Sequence, residues 1–319
     1  MHNGNNIMNT STNSIVANYE TEYGIATSID LWLTVIMSTI LFSSFSFIVW
    51  NDRKQSTNPS KRSILTGFNI LFVAMLVCNL LSVTFQYIYN LSTDMTLVVI
   101  FNCLSFLFGS IFQFLIVLYT LNRGIPVIKA TFPAAEKYLM IILILFGLLL
   151  TSQFVFSVLV TTSVYLSILF ENFPILLSII KKQNIAIDVL LGSFDLFVVC
   201  IYSIYLYKNR STHVDMKRLI ILSRFGIASF VVLEFWLTFI VLNSYWLNAS
   251  QKQISRLAYS INLHICDLGP MLYLFLQLVL KWELYREDQR RRVKPDLSAK
   301  PASNSKSATT MKDVGAKLH

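Results

Sequence analysis

The chain has 319 residues, 55% of them hydrophobic and 13% charged, with a mean hydropathy of +0.59. That balance excludes an ordinary soluble domain and indicates a polytopic membrane protein. The formal net charge of +9 gathers at the edges of apolar stretches rather than over a soluble face, so it reports orientation in a bilayer and not binding to nucleic acid.

Residues 1–28 are polar and rich in Asn, Ser and Thr, with no basic segment leading into a short apolar core, so no cleavable signal peptide is expected. Seven segments then meet the requirement of about 20 apolar residues: 29–50, 64–89, 96–121, 138–162, 185–207, 218–243 and 256–280. With the N-terminus outside, the inner connections and tail hold 21 of the 26 Lys and Arg residues, so the C-terminus is expected in the cytosol. The sequons at Asn9, Asn90 and Asn248 fall on the expected outer side, as glycosylation candidates, and only Asn209 falls inside. The expected fold is thus an all-α membrane protein, a bundle of seven transmembrane helices over 29–280, multi-pass in the plasma membrane.

Residues 164–180 are apolar enough to suggest an eighth crossing, but Glu171, Asn172 and Pro174 interrupt them and an eighth span would reverse the charge bias. They read as an outer extension of the fourth helix followed by an apolar loop across the bundle mouth. After the last span, residues 281–294 place Trp282 and Tyr285 among six basic residues, the pattern of a short interfacial helix on anionic lipid. Residues 295–319 read as a disordered tail.

All four cysteines, Cys78, Cys103, Cys200 and Cys266, fall in apolar stretches and read as small buried hydrophobes. Inside the expected spans stand three acids at depth, Asp195, Glu234 and Asp267, with Asp188 two turns outward from Asp195 on the same face. A carboxyl at that depth needs protonation, hydrogen bonds, a cation or a wet cavity. The acids, with Asn79, Asn102, Gln113 and His264, either line a cavity for a cation, a proton or a ligand amine, or are satisfied by neighbouring Ser, Asn and backbone groups.

His264 and Asp267 are spaced to meet across one helical turn, but the other histidines, His2, His213 and His319, lie outside the spans. The three protein ligands of a catalytic zinc are not in evidence, so neither a metal nor an intramembrane hydrolase is expected, and no enzyme activity is assigned. Pro270 removes a backbone donor and leaves the carbonyl of Cys266 without its helical partner, with Gly269 adding freedom, so a kink is expected there. Asp267, Pro270 and Tyr273, with Trp236 as a core aromatic, form a candidate conformational switch.

Seven spans, an outer N-terminus, short loops and a basic segment after the last span resemble the seven-transmembrane G-protein-coupled receptor superfamily, over residues 29–294. Pro270-Met271-Leu272-Tyr273 matches the Pro-x-x-Tyr part of the rhodopsin-like motif, with Gly269 in place of the preceding Asn or Asp. At the end of the third span Leu121-Asn122-Arg123-Gly124 retains only the arginine, and Phe235-Trp236 is placed like the sixth-span aromatic switch, without its flanking Cys and Pro. No lysine lies in the seventh span, so retinal is not implied, and no other cofactor is expected.

The resemblance implies an extracellular ligand, a heterotrimeric G protein, and an inner docking surface at Arg123, Lys208, Arg210, Lys217 and Arg218; topology and anionic lipid alone also account for those basic residues. A seven-span transporter or proton-coupled carrier using the same acids, and a membrane scaffold without signalling, are the alternatives. Nucleotide exchange separates a receptor from both, and flux that depends on a pH gradient marks a carrier.

Overall fold

The computed structural model describes residues 5–54, 67–166, 173–208, 216–246 and 256–293. Its elements are seven α-helices: α1 (Asn5–Lys54), α2 (Gly67–Leu91), α3 (Met95–Thr131), α4 (Ala135–Leu166), α5 (Phe173–Lys208), α6 (Met216–Trp246) and α7 (Arg256–Val293). Each contains a segment long and apolar enough to cross a membrane, seven in all among the described residues.

The helices close into a ring in chain order, with α7 packed back on α1, and α3 reaches across it to α5. Cross-helix contacts give the directions. Asp30 meets His264 and Ser38 meets Met271, so α1 and α7 run parallel, whereas Phe68 meets Tyr119 and Phe85 meets Phe101, so α2 and α3 run antiparallel. The end of the bundle where α1 enters is called the amino end below, and the end where α7 leaves the carboxyl end.

Polarity is arranged inside out. On α1 the buried stripe is Thr27, Asp30, Thr34 and Ser38, then Leu41, Phe45 and Ile48, at the three- and four-residue spacing of one helix face. Its outward face carries Ile29, Trp32, Leu33, Ile36, Ile40, Phe42, Phe47 and Trp50. In water that distribution would be reversed; with hydrocarbon outside it is the stable one.

Small and polar side chains join neighbouring helices. Ser82 and Ser105 exchange hydrogen bonds with each other's carbonyl oxygens at 3.0 Å, locking α2 to α3 beside Gly109. On the α4–α5 seam Gln153 donates to Asn184 and Gln183 to Ser152, both at 2.7 Å. Such bonds supply contacts that the hydrophobic effect cannot supply between helices in lipid.

Four helix boundaries differ from the sequence expectation, the first of them in α1, which begins at Asn5 and not at the expected 29. The third helix continues ten residues past the expected end at 121, through Pro126, to Thr131. It begins at Asp94, whose carboxylate accepts from the Thr96 amide at 2.8 Å as an N-cap. Residues 173–180, expected as a loop over the bundle mouth, instead open α5, where Pro174 occupies the first turn, the place in a helix that needs no amide donor. The seventh helix runs unbroken to Val293, so residues 281–293 extend it in place of a separate short helix.

Candidate functional site

The carboxyl-end half of the bundle encloses a polar cluster supplied by four helices. Its centre is Arg123 on α3, only 9% exposed. Extension of α3 to Thr131 puts this arginine eight residues inside the helix end, about 12 Å at 1.5 Å per residue. Arg123 Nη1 donates to Gln277 Oε1 on α7 at 3.3 Å, and Gln277 Nε2 donates to Ser229 Oγ on α6 at 2.7 Å.

From α5, the Tyr202 hydroxyl donates to the Arg123 carbonyl at 2.6 Å, with the guanidinium 6.0 Å from the Tyr202 ring centroid. One turn before Arg123, Thr120 donates to Asp195 Oδ1 at 3.2 Å. Asp195 and Tyr273 both stand within electrostatic range of the guanidinium. The cluster therefore contains one permanent cation, one carboxyl and three tyrosines, Tyr119, Tyr202 and Tyr273, with Arg123 Nε and Nη2 and Asp195 Oδ2 buried and without hydrogen-bond partners. A charge pair in this setting is held by several helices at once, and moving any of them exchanges its partners.

Above it, Trp236 couples α6 to α7. Its indole Nε1 donates to the Cys266 carbonyl at 2.9 Å, the oxygen that Pro270 deprives of a helical donor. The ring lies against Gly269: a Cβ there would stand 2.2 Å from Trp236 Cδ1. Phe112 of α3 also meets the indole, edge to face, with ring centroids 6.2 Å apart and planes at 73°. Gly269 and Pro270 thus form the seat of the tryptophan, a role distinct from local flexibility, and α7 stays helical through them.

The remaining acids form two pairs. Glu234 of α6 lays its carboxyl against Gly192 of α5, 1.9 Å from where a Cβ would be, and Asp188, one turn back on α5, is its electrostatic neighbour. At the amino end, Asp30 of α1 faces α7. Asp30 Oδ1 lies 2.6 Å from His264 Nδ1, and Asp267 stands beside the same carboxyl. His264 therefore meets an acid on another helix rather than Asp267 one turn along its own.

The other expected residues are dispersed. Asn102 donates to Thr161 at 2.9 Å and belongs to the α3–α4 seam; Asn79 is buried on α2, and Gln113 is half-buried on α3. Arg123, expected on a docking surface, points into the bundle, whereas Lys208, Lys217 and Arg218 are exposed. Asn90 lies in the last turn of α2 with its amide nitrogen shielded from solvent. Arg210, Asn248 and the tail from 295 lie outside the described residues, as does the side chain of Asn9. The cysteines are all free, and Cys200 is exposed on the outer face of α5 rather than buried.

Sequence reasoning missed Gln277, Ser229, Tyr202 and Asp30. Periodicity contains a signal for the first three: Gln277 is one turn from Tyr273, Ser229 two turns from Trp236, and Tyr202 two turns from Asp195. Among the described residues no three His, Cys, Asp or Glu side chains converge as a metal-binding group. No protein-family model matches this chain, and no curated protein matches it significantly.

Proposed function

We propose that this protein is a receptor of the seven-transmembrane type, resembling the G-protein-coupled receptors, that converts ligand binding at the amino end into rearrangement at a cytosolic carboxyl end. The observation that carries the reading is the Arg123 cluster. A permanent cation is buried on the central helix, held from α5 and α7 and through Gln277 from α6. Directly above it Trp236 locks α6 to α7 at the Gly269-Pro270 seat.

Displacing Trp236 frees the Cys266 carbonyl and loosens α6 from α7. Ser229 then leaves Gln277, Arg123 loses its neutral acceptor, and the guanidinium is available to a partner entering between the helices. Exposed Lys208, Lys217 and Arg218 border that entrance and attract an acidic partner or anionic headgroups. The plasma membrane, an outer N-terminus and glycosylated outer segments belong to the same proposal, supported by the distribution of basic residues in the connections.

The test is guanine-nucleotide exchange on a panel of co-expressed G proteins. Q277L removes the acceptor that holds Arg123 and is expected to raise ligand-independent exchange, whereas R123A abolishes it. Exchange indistinguishable from vector control for wild type and Q277L across the panel would sink the reading. A carrier is the second reading, favoured by the acids Asp188, Glu234 and Asp195 along α5 and α6; proton-gradient-driven flux without exchange would establish it.

A further inference from the structure

At the carboxyl end of the bundle, the corner where α3 turns into α4 contains a cleft that the Arg123 cluster does not use. Leu121, Ile125 and Ile128 of α3 form one wall, Leu139 and Met140 of α4 the other, and Lys129 stands at its rim. With its open side included, the cleft has about 220 Å3 of empty space. Leu121, Ile128 and Leu139 are buried at its floor, whereas Met140 and Lys129 are exposed, so it opens outward to the surrounding lipid. The α3 wall runs from Leu121 to Ile128, about 10 Å along the helix.

The rim is basic and its position is fixed. Lys137, in the first turn of α4, is exposed one turn before Met140 and brings a second ammonium group to the same side of that helix. Glu136 is the only acid in residues 129–137, which leaves the corner one positive charge in excess. Only Phe132-Pro133-Ala134 separate the two helices. The Phe132 amide donates to the Ile128 carbonyl at 2.7 Å and the Ala135 amide to the Phe132 carbonyl at 3.0 Å, so both lysines stand on helix ends joined by a pinned turn. Beside Lys137, Tyr138 is 68% exposed, an amphipathic ring of the kind that marks the headgroup level of a bilayer. The lysines are thus placed in the headgroup layer and the cleft just inside the hydrocarbon.

We propose that this corner binds one anionic phospholipid, with its phosphate at Lys129 and Lys137 and the first part of an acyl chain in the cleft. The chemistry of the corner selects this occupant. A soluble anion would use the lysines and leave the cleft unfilled, and a neutral lipid would fill the cleft and gain nothing from the lysines. An anionic phospholipid satisfies both. The chain packs on Leu121 and Ile125, on either side of Arg123 in sequence, and so supports α3 where Pro126 leaves the Asn122 carbonyl without a helical donor. That this end faces the anionic cytosolic leaflet rests on the orientation proposed above; binding itself does not.

The experiment uses the full chain in mixed micelles at constant ionic strength and reads no nucleotide exchange, so failure of the receptor reading leaves it intact. Thermal unfolding and native mass spectrometry are followed as phosphatidylserine, phosphatidylcholine or soluble glycerophosphoserine is added. Phosphatidylserine is expected to raise Tm saturably, with one lipid retained per chain. K129Q and K137Q each weaken its apparent affinity about fivefold, and together about 30-fold. M140W fills the mouth of the cleft from an exposed position and weakens binding with the charge unchanged.

R53Q combined with K54Q removes the same charge from exposed positions at the carboxyl end of α1 and retains the full response. The lysines and Met140 are also exposed, so the variants keep the fold. Equal stabilisation by phosphatidylcholine, a response that glycerophosphoserine reproduces, one that survives in K129Q combined with K137Q, or an equal loss in R53Q combined with K54Q, each overturn the proposal.

Discussion

The two ends of the bundle solve the problem of buried charge in opposite ways. Around Arg123 a permanent cation and the Asp195 carboxyl are enclosed together, with Gln277, Ser229, Thr120 and Tyr202 supplying hydrogen bonds from four helices. In the Asp30–Asp267 seam two carboxyls face one imidazole. The first cluster contains charges of both signs and acts as internal glue. The second gathers two acids from different helices around one imidazole, with no arginine or lysine of the described side chains among them. Removing a charged group should therefore destabilise one end and spare the other.

The largest effect is expected from R123M, which leaves Asp195 buried without a counter-charge and should cost about 3–5 kcal/mol by thermal unfolding in a defined detergent. R123M combined with D195N should recover most of that loss; a double variant as unstable as R123M would mean that packing, and not charge, dominates there. Next is G269A, whose methyl group enters the Trp236 ring and should cost about 1–3 kcal/mol. A wild-type Tm for G269A would show that the indole is free to leave its seat.

W236F retains an aromatic ring and removes only the donor to Cys266, for about 1–2 kcal/mol. The smallest change is expected from D267N at the amino end. Its Tm should stay close to that of wild type, because the amide can still donate a hydrogen bond to the Asp30 carboxyl. A loss comparable to that of R123M would erase the distinction between the two ends.

Much of the architecture was legible because the chain must satisfy hydrocarbon on its outside. Length and apolarity located all seven helices to within a few residues at most ends. The ends that were missed, at the start of α1 and α5 and the end of α3 and α7, are those where helix continues beyond the apolar run, since residues such as Arg123 and Lys181 are readily accommodated in a helix and only disfavoured in lipid. The Cys266 carbonyl was identified as an orphan from Pro270 alone, but which donor answers it was not. Trp236 is thirty residues away, and its approach depends on the missing side chain at Gly269.

Pairing between helices was the part out of reach. His264 was matched with Asp267 by spacing along one helix, whereas its partner is Asp30, 234 residues earlier, on a helix that meets α7 only when the ring closes. Arg123 looked like a surface cation because the third span ended just before it; burial followed from an extended α3 and from Gln277.

By itself the sequence determines that seven helices are long and apolar enough to cross a bilayer, which of their faces are apolar, and where polar groups interrupt the apolar runs, because those are properties of local composition and period. The tertiary structure alone decides which polar groups find one another. Hydrogen bonds and charge pairs act over a few ångströms, and in a closed seven-helix ring that proximity is set by which helix lies beside which.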